Sequence, residues 1–525
     1  MAKKLLMFLI LVALFTVSVV PAGAQGGGGG TLIGAFDVGP GGAPKVIPFM
    51  DTAGRTWLSK IWSTLTTLTA DASGVAPSLA TSWSANDDFT VWTYNLREGV
   101  LWHDGEPLTA SDVVFSLNLA LNPDAATQFP AFSSLSAEKV AGVTAVDDLT
   151  VEITLTEPNP RLPFFTIFLW VLPEHALSDL NPADYQNTDW FYTNPVGTGP
   201  FMHDEYVADQ FWALVPNPNY WDGAPKLDRL INRYFEDETS AILALESGEI
   251  QFTYASGDVA LRLGEEATFN LYQGPSGVTN YFIFNYRDPI FQDVRVRQAF
   301  LYAIDRQAIA ETVLQGTAQV VPCLGGFPSM WPDASELNDY AYNPDMARQL
   351  LDEAGWDYSR NVELVTYYTN QFHNDAMAAQ QAFLADVGVQ ITPLPQDVPT
   401  YNSYFYTGEG WDISYRGVGV SLGNYPFNFY EVGGFETTDG TPLMGMDFPE
   451  LDDLINRARV ESDPDAYIGL LQDICKFQNE NAIEGYMWTA VRFGVASSSL
   501  QDFYWFPAAG GGPYEDHPEL WSVSG

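Results

Sequence analysis

The stretch "GVLWHDGEPLTASDVVFSL" (99–117) places several chemically active side chains close together. His103 could act as a general base beside Asp104, and the hydroxyls of Thr109 and Ser111 could act as nucleophiles. The same residue types also suit a turn followed by the start of a helix. The stretch therefore supports two interpretations, an active site or a piece of scaffold.

Turn and capping chemistry favours the scaffold interpretation of this stretch. Asp104-Gly105 is a turn dipeptide, and Thr109 followed three residues later by Asp112 is a capping box at a helix start. The apolar residues that follow supply a buried helix face. We expect His103 and Asp104 to hydrogen-bond locally.

Signatures of catalysis or metal binding are missing from the sequence. The five histidines lie outside the H-E-x-x-H spacing, and there is no G-x-S-x-G elbow, phosphate loop or G-x-G-x-x-G fingerprint. Adjacent acids are expected by chance in a chain with 66 Asp and Glu residues. We predict no catalytic residue, no metal site and no cofactor. An exported glycoside hydrolase remains a remote alternative, motivated only by the abundance of acids.

The N-terminal residues predict export. Lys3 and Lys4 precede an apolar run (5–20) and the small-residue pattern Ala22-Gly23-Ala24, as in a cleaved signal peptide spanning residues 1–24. The run is shorter than the roughly 20 residues of a membrane-spanning helix. "QGGGGG" (25–30) predicts a flexible tether. With no cysteine beside the cleavage site, we expect a periplasmic or extracytoplasmic protein without a lipid anchor.

Charge and cysteine content restrict the partners and the covalent chemistry. The 23 Lys and Arg residues against 66 acids give a net charge of −43, which disfavours nucleic acid as a partner. Cys323 and Cys475 are the two cysteines of the chain. In an exported protein they could form a disulfide or remain two separate buried thiols, and their spacing does not decide between these.

Length and residue patterns predict an α/β protein with more than one lobe. About 500 mature residues exceed what one hydrophobic core usually organises. Apolar residues alternate along 87–99 and 149–158, as in half-buried strands. The segment 342–356 has Asn343 as an N-cap and Gly355 as a C-terminal cap, and a further helical segment (291–314) is predicted to break near Asp305.

Four sequence blocks, in order, resemble one known family. They are "PSLATSWSANDDFTVWTYNLREGVLWHDGEPLTASDVVFSL" (77–117), "NPVGTGPF" (194–201), "PNPNYWDGAPKLDRLINRYFEDETSAILALESGEI" (216–250) and the region 291–356. The blocks resemble the extracytoplasmic solute-binding proteins of ABC importers, in the dipeptide and oligopeptide class (family 5). The resemblance covers most of the mature chain.

The resemblance implies a two-lobed α/β fold of the periplasmic-binding-protein type, class II, with a hinge and a ligand cleft between the lobes. Lobe I would span 31–277, with a subdomain at roughly 60–190, and lobe II would span 278–482. Residues 483–525 would return to lobe I, with crossings near 276–286 and 482–493. The lobes would close around the ligand without a covalent step. The partners implied are permease subunits, and we expect a monomer.

The family's peptide-binding acid is missing at the corresponding position. Peptide-binding members place an Asp after a G-W-x-x-D-like element, where it holds the α-ammonium of the ligand. In this chain the position falls near Val420 or Ser421, while Asp412 lies earlier in the predicted strand. Burying an ammonium without a counter-charge is costly. A neutral oligosaccharide is therefore the alternative to a peptide ligand.

We expect the ligand to be contacted by residues just past the first crossing and in the loops that follow. Asparagines would supply hydrogen bonds, glycines a close approach of the backbone, and aromatic rings walls or stacking. The predicted residues are Asn285, Trp331, Gly417, Val418, Ser421, Asn424, Tyr425 and Phe427. The resulting hypothesis is a substrate-binding component of an ABC importer. A ligand sensor coupled to a membrane receptor is a further alternative.

Overall fold

The structure is a computed structural model that describes most of the chain. The described residues are 28–36, 47–49, 55–69, 74–127, 129, 135–324, 331–369, 371–407, 409–419, 448–505 and 515–524. The predicted signal peptide (1–24) lies outside these residues, as do the predicted ligand contacts Ser421, Asn424, Tyr425 and Phe427.

Strands and helices alternate along the chain. In chain order the strands are β1 (Thr31–Ala35), β2 (Thr66–Leu68), β3 (Val75–Pro77), β4 (Ala80–Ala85), β5 (Val91–Leu96), β6 (Val140–Asp147), β7 (Thr150–Leu155), β8 (Phe201–Val207), β9 (Phe211–Pro216), β10 (Arg229–Arg233), β11 (Phe252–Ala255), β12 (Phe269–Phe284), β13 (Ala318–Val320), β14 (Asn361–Thr366), β15 (Gln390–Pro395), β16 (Ile413–Gly419), β17 (Gly485–Ser497), β18 (Leu500–Gln501), β19 (Tyr504–Trp505), β20 (Glu515–Asp516) and β21 (Ser522–Val523). The α-helices are Arg55–Ile61, Ala110–Leu121, Leu162–Thr166, Glu174–Leu177, Trp190–Thr193, Glu238–Glu246, Gly257–Gly264, Pro289–Gln292, Val294–Ala303, Arg306–Ala308, Pro344–Ala354, Gln371–Asp386, Val398–Thr407, Pro449–Val460 and Pro464–Glu480. Short 3-10 helices span Pro123–Ala125, Pro182–Asn187 and Ala334–Glu336, and a π-helical turn spans Ile309–Val313.

Local sequence signals explain where the helices begin and end. The Oδ1 atom of Asn343 accepts a hydrogen bond from Met346 N at the start of Pro344–Ala354, and Gly355 ends that helix with φ of 73°. The predicted break near Asp305 is confirmed, since Asp305 caps a new helical turn by accepting from Ala308 N.

One large sheet runs through the described molecule in the order β15-β14-β16-β12-β17-β11-β1-β10-β9-β8, and β13 pairs with β17. A separate sheet, β4-β5-β7-β6, corresponds in sequence to the segment predicted as a subdomain. Parallel pairs such as β1–β10 and β14–β15 stand beside antiparallel ones. The sheets and their covering helices make this a mixed α/β fold.

Two large hydrophobic cores include residues from different strands of this sheet. The first core draws on residues between 32 and 254 together with residues 496–521, and it contains fully buried Trp57 and Trp521. The second core draws on residues between 281 and 488, including Tyr281 and Trp488. A smaller, separate cluster contains Ala35, Ile250 and Phe493. The chain thus leaves the first core, builds the second and returns.

Strands β12 and β17 connect the two cores. They pair from Phe269↔Ser497 to Pro275↔Val491, and pairing resumes at Thr279↔Thr489 after an irregularity. This interruption lies between the part of β17 that packs with Phe493 and the part that packs in the second core. The two segments through which the chain passes between the cores are therefore adjacent strands, β12 and β17. Their pairing has a local break in register, and such a break allows the strands to bend.

A disulfide bond joins Cys323 and Cys475, both 1% exposed. Cys323 follows β13, and Cys475 lies in the helix Pro464–Glu480, so the bond closes a loop with a sequence separation of 152. The sequence left open whether these cysteines would pair, and the structure shows that they do. The bond ties two distant segments within the second core.

The opening stretch (99–117) is scaffold. Thr109 N donates to Asp112 Oδ2 at 2.9 Å, which confirms the predicted capping box at the helix Ala110–Leu121. The prediction that His103 bonds locally is wrong, because its imidazole bridges Gly197 N (3.1 Å) and Gly199 O (3.1 Å). Burial lowers the pKa of His103 to about 4, so the ring is neutral at physiological pH.

Asp104 also makes a long-range contact. Its Oδ2 atom lies 2.8 Å from His175 Nε2. The predicted local bond of Asp104 is confirmed as well, because its Oδ1 atom accepts from Glu106 N at 3.3 Å. The contacts of His103 with Gly197 and Gly199, and of Asp104 with His175, join segments that are far apart in sequence.

The residues before β1 are tied into the fold. Gly29 N donates to Lys226 O at 3.0 Å, and Gly29 O accepts from Val523 N at 2.7 Å. The predicted tether (25–30) therefore does not extend to Gly29. Within the described ranges, none of the helices combines the length and apolar character that crossing a membrane requires.

Candidate ligand-binding site

The three neighbouring strands β16, β12 and β17 bring a set of polar residues together where the cores meet. Val418 lies opposite Thr279, which lies opposite Thr489, and Arg416 lies opposite Tyr281. Residues two apart on a strand share a face, so these side chains lie on one side of the sheet. We call these five residues the crossing-strand site.

Three hydroxyl groups of the crossing-strand site are buried without a partner. Thr279, Tyr281 and Thr489 are each 0% exposed, and their hydroxyls have no hydrogen-bond partner among the described residues. Leaving a buried hydroxyl unsatisfied costs about 1–3 kcal/mol. Three such groups on adjacent strands make this region a candidate for binding polar atoms of a ligand.

Arg416 supplies the positive charge of this site. Its guanidinium carbon lies 4.8 Å from the ring centre of Phe405 and 6.0 Å from that of Tyr401, both on the helix Val398–Thr407. Burial raises the pKa of Tyr281 well above its usual range, and the charge of Arg416 opposes this rise. Tyr281 is therefore a neutral hydroxyl that can both donate and accept.

The opposite face of the same strands explains why position 417 is a glycine. The hydroxyl of Tyr367 donates to Gly417 O (3.1 Å) and accepts from Gly417 N (3.2 Å). A Cβ atom on Gly417 would lie 2.2 Å from the Tyr368 hydroxyl and 3.2 Å from Asn280 Oδ1. The Tyr368 hydroxyl itself donates to Asn280 Oδ1 at 3.0 Å. Close packing of these tyrosines leaves no room for a side chain.

A neutral histidine, His373, packs against this tyrosine cluster. The rings of His373 and Tyr368 stack with centroids 3.4 Å apart, and His373 Nδ1 lies 3.2 Å from the hydroxyl of Tyr415. Burial lowers the pKa of His373 to about 3. The arrangement fixes the tyrosines in place and offers no charged imidazole to a ligand.

One edge of β16 extends beyond its neighbour. Strand β14 pairs with β16 at Ile413 and Ser414, whereas β12 pairs with it through Gly419. The backbone of Gly417 points away from β12, toward Tyr367. Since strand hydrogen-bonding groups alternate in direction, the backbone of Gly419 faces the same edge. Within the described strands this edge has no strand partner at Gly419.

The predicted ligand contacts separate into three groups. Gly417 and Val418 belong to the crossing-strand region. Asn285 lies beyond the other end of β12, roughly 20 Å from Thr279 at the rise of an extended strand; its Nδ2 donates to Trp411 O at 2.9 Å. Trp331 packs against the second core, and its carbonyl accepts from Gln472 Nε2 at 3.4 Å.

Four residues of the site escaped the sequence analysis: Thr279, Tyr281, Arg416 and Thr489. For Thr279, Tyr281 and Arg416 the signal was present in the alternation of polar and aromatic residues in "SGVTNYFIFNY" (276–286) and "WDISYRG" (411–417). These segments form the neighbouring strands β12 and β16, and that neighbourhood is visible only in the tertiary structure.

A separate group has the composition of a cation site. Asp222, His517 and Glu519 offer atoms within 4.8 Å of one another, and His517 Nδ1 lies 2.9 Å from Glu519 Oε1. One imidazole and two carboxylates could hold a divalent ion. The group contains none of the crossing-strand residues, and no chemistry at that site depends on it.

Two cores joined by the adjacent strands β12 and β17 are the architecture of a two-lobed solute-binding protein. The chain belongs to the family described as bacterial extracellular solute-binding proteins, family 5, whose model for the middle region matches residues 74–439. This confirms the family and fold class predicted from sequence.

Comparisons with individual proteins agree with this membership. A protein of Brucella melitensis named as an ABC transporter peptide-binding protein is 39% identical over 502 residues, covering 94% of each chain. The structure of the ABC transporter substrate-binding protein CtaP of Listeria monocytogenes aligns with a TM-score of 0.79 at 23% identity, covering 94% of this chain and 99% of that one.

The oligopeptide-binding protein AppA of Bacillus subtilis, in complex with a nonapeptide, aligns with a TM-score of 0.73 at 22% identity, covering 95% of this chain and 99% of that one. At these identities the solved structures establish the shared fold.

Proposed function

We propose that this chain is the exported substrate-binding component of an ABC importer that captures short peptides. Its two lobes, residues 31–277 with 483–525 and residues 278–482, close around the ligand and present it to permease subunits. Capture requires no covalent step, because differential affinity for the closed state drives the closure. Family membership and the peptide-binding names of its relatives support this proposal.

The edge of β16 at Gly419, which none of the described strands pairs with, is the observation that carries the peptide assignment. An extended peptide binds by adding a strand to an exposed edge, where main-chain hydrogen bonds give affinity independent of sequence. The backbone of Gly419 faces such an edge beside the crossing-strand site. The hydroxyls of Thr279, Tyr281 and Thr489 lie close by for the remaining polar atoms of a ligand.

The ligand's amino terminus must be held differently from the family pattern. Asp412, which directly precedes β16, is already engaged by Arg360 and accepts from Glu363 N at 2.8 Å. An ammonium would gain no free carboxylate there. We therefore propose that recognition depends on the peptide backbone more than on a free α-ammonium.

A thermal-shift panel tests the proposal on the mature chain. Di- to pentapeptides, their N-acetylated forms and cello- and xylo-oligosaccharides are added separately, and binding to the native state raises Tm. Peptides should raise Tm, and N-acetylation should leave most of the shift intact. A shift with oligosaccharides alone would overturn the peptide assignment. A shift lost on acetylation would overturn the backbone-recognition proposal.

Turnover provides the test of the non-enzymatic part of the proposal. The same peptides and a chromogenic glycoside are incubated with the chain and analysed by mass spectrometry. We expect both to be recovered unchanged, and a cleaved product that accumulates in proportion to protein would contradict this.

A further inference from the structure

Arg161 is a buried cation that belongs to one core and bonds to the other. It directly precedes the helix Leu162–Thr166, whose residues Leu162 and Phe165 pack in the first core. Its side chain donates from Nη1 to Glu461 O at 3.2 Å and from Nη2 to Arg459 O at 2.5 Å. These acceptors lie about 300 residues further along the chain.

The acceptors lie at the C-terminal end of a helix, where Glu461 N caps the last turn by donating to Arg457 O at 3.1 Å. Helix Pro449–Val460 stops at Glu461, which is extended (φ −70°, ψ 126°). The last carbonyls of a helix have no intrahelical donor and carry partial negative charge. The planar guanidinium of Arg161 satisfies two of them at once. It also lies 4.4 Å from the ring centre of Tyr467 in the second core, a cation–π distance.

Apolar contacts surround this polar bridge. Leu68 and Phe164 come from the N-terminal half of the chain but pack against the second core. The hydroxyl of Thr66 lies 2.7 Å from that of Thr166, which fixes β2 to the helix Leu162–Thr166 and holds the two apolar side chains together. Arg161 is 5% exposed, so the contact excludes solvent around the charge.

We infer that Arg161, Arg459, Glu461 and Tyr467 form a clamp that stabilises the closed arrangement of the two lobes and thereby sets ligand affinity without touching the ligand. This inference rests on the proposed function for the event that closure serves. Opening would return the guanidinium and the two carbonyls to water. Apparent affinity falls in proportion to the binding-competent fraction, so weakening the clamp weakens binding.

The experiment measures closure directly. Nitroxide labels at Glu157→Cys and Asp473→Cys, both more than half exposed and on opposite sides of the contact, report the distance between lobes by electron–electron double resonance. The native disulfide leaves no other thiol to label. Distances are recorded with and without a mixture of tri- to pentapeptides, in the unchanged background, in Arg161→Ala and in Arg457→Ala.

Arg457→Ala is the matched control, because Arg457 lies on the same helix with its side chain 58% exposed. Arg161→Ala should shift the population toward the longer distance and weaken peptide binding by about tenfold, with Arg457→Ala unchanged. Arg161→Lys keeps the charge but cannot donate to both carbonyls in the geometry of a guanidinium. Its peptide affinity should lie between those of Arg161→Ala and the unchanged background. If Arg161→Ala is poorly folded, Arg161→Lys and Tyr467→Ala carry the test.

The two proposals fail in different ways. Distance distributions identical in the unchanged background and the Arg161 variants would overturn the clamp. Peptides that change neither distance nor Tm in the unchanged background would overturn the peptide function, while a shift caused by Arg161→Ala in the ligand-free chain would still support the clamp.

Discussion

Thr279 and Thr489 lie directly opposite each other on the two strands that connect the cores, and neither hydroxyl has a hydrogen-bond partner in the described part of the chain. Both side chains are fully buried. A chain that needed only packing at this position would be served equally well by valine. The hydroxyls therefore point to a role in binding polar atoms at the hinge.

Replacing Thr489 with valine should separate binding from stability. Because the substitution removes a buried unsatisfied hydroxyl at nearly constant volume, the free energy of unfolding should be unchanged or slightly higher. Peptide affinity, measured by calorimetry, should fall by about tenfold, since a hydrogen bond to the ligand is lost. Unchanged affinity would remove Thr489 from the site.

Thr253→Val is the matched control for Thr489→Val. Its hydroxyl is also buried but donates to Tyr254 O at 3.0 Å, in the first core. This variant should lose about 1 kcal/mol of stability and retain peptide affinity.

A methyl group at position 417 should disturb the tyrosine cluster. In Gly417→Ala the new Cβ atom would lie 2.2 Å from the hydroxyl of Tyr368 and 2.9 Å from Val278 Cγ1, so Tyr368 and its bond to Asn280 must shift. We expect a loss of about 1–3 kcal/mol in urea denaturation and weaker peptide binding. Gly142→Ala, in a strand where a Cβ meets nothing within 4 Å, should change neither quantity.

Acid should destabilise the chain through His103. Burial lowers its pKa to about 4 in the folded state, against about 6.5 when unfolded. The unfolded chain thus binds a proton first as pH falls, and stability present above pH 6.5 is lost toward pH 4. The unfolding free energy of the unchanged chain, minus that of His103→Gln, should fall by about 3 kcal/mol between pH 7 and pH 4. A pH-independent difference would contradict this.

Opening the disulfide should weaken the second core. Cys323→Ala with Cys475→Ala removes a crosslink that closes a loop with a sequence separation of 152, and the expected loss is about 4 kcal/mol in guanidinium denaturation under oxidising conditions. Under reducing conditions the unchanged chain should approach the double variant. Equal stability of both under oxidising conditions would show that the bond contributes nothing.

Local chemistry made much of the fold predictable. The capping pair Thr109 and Asp112 and the cap at Asn343 act over three residues, so sequence alone locates those helix starts. His103 was misassigned because its partners Gly197 and Gly199 are brought to it by the fold. A side chain's distant partners cannot be read from its neighbours in sequence.

The candidate site was less predictable for a related reason. Gly417 and Val418 were found because the family resemblance points to that strand. Thr279 and Thr489 became visible only through a pairing between residues 210 positions apart in sequence. Asn285 resembles a binding residue in sequence, yet its amide is committed to the backbone at Trp411.

The return of the C-terminal segment to the first core determines the order in which the chain can be completed. Strand β11 pairs with β17 at Phe252↔Ala496, and Trp521 is fully buried in the first core. The second core is contiguous in sequence, from 281 to 488. If the chain crosses a membrane from its N-terminus onward, the first core cannot be completed when its N-terminal residues emerge, because it needs the C-terminal segment. The second core, whose residues are contiguous, can therefore be completed before the first. A truncation of only the last thirty residues would leave the earliest part of the protein unfinished.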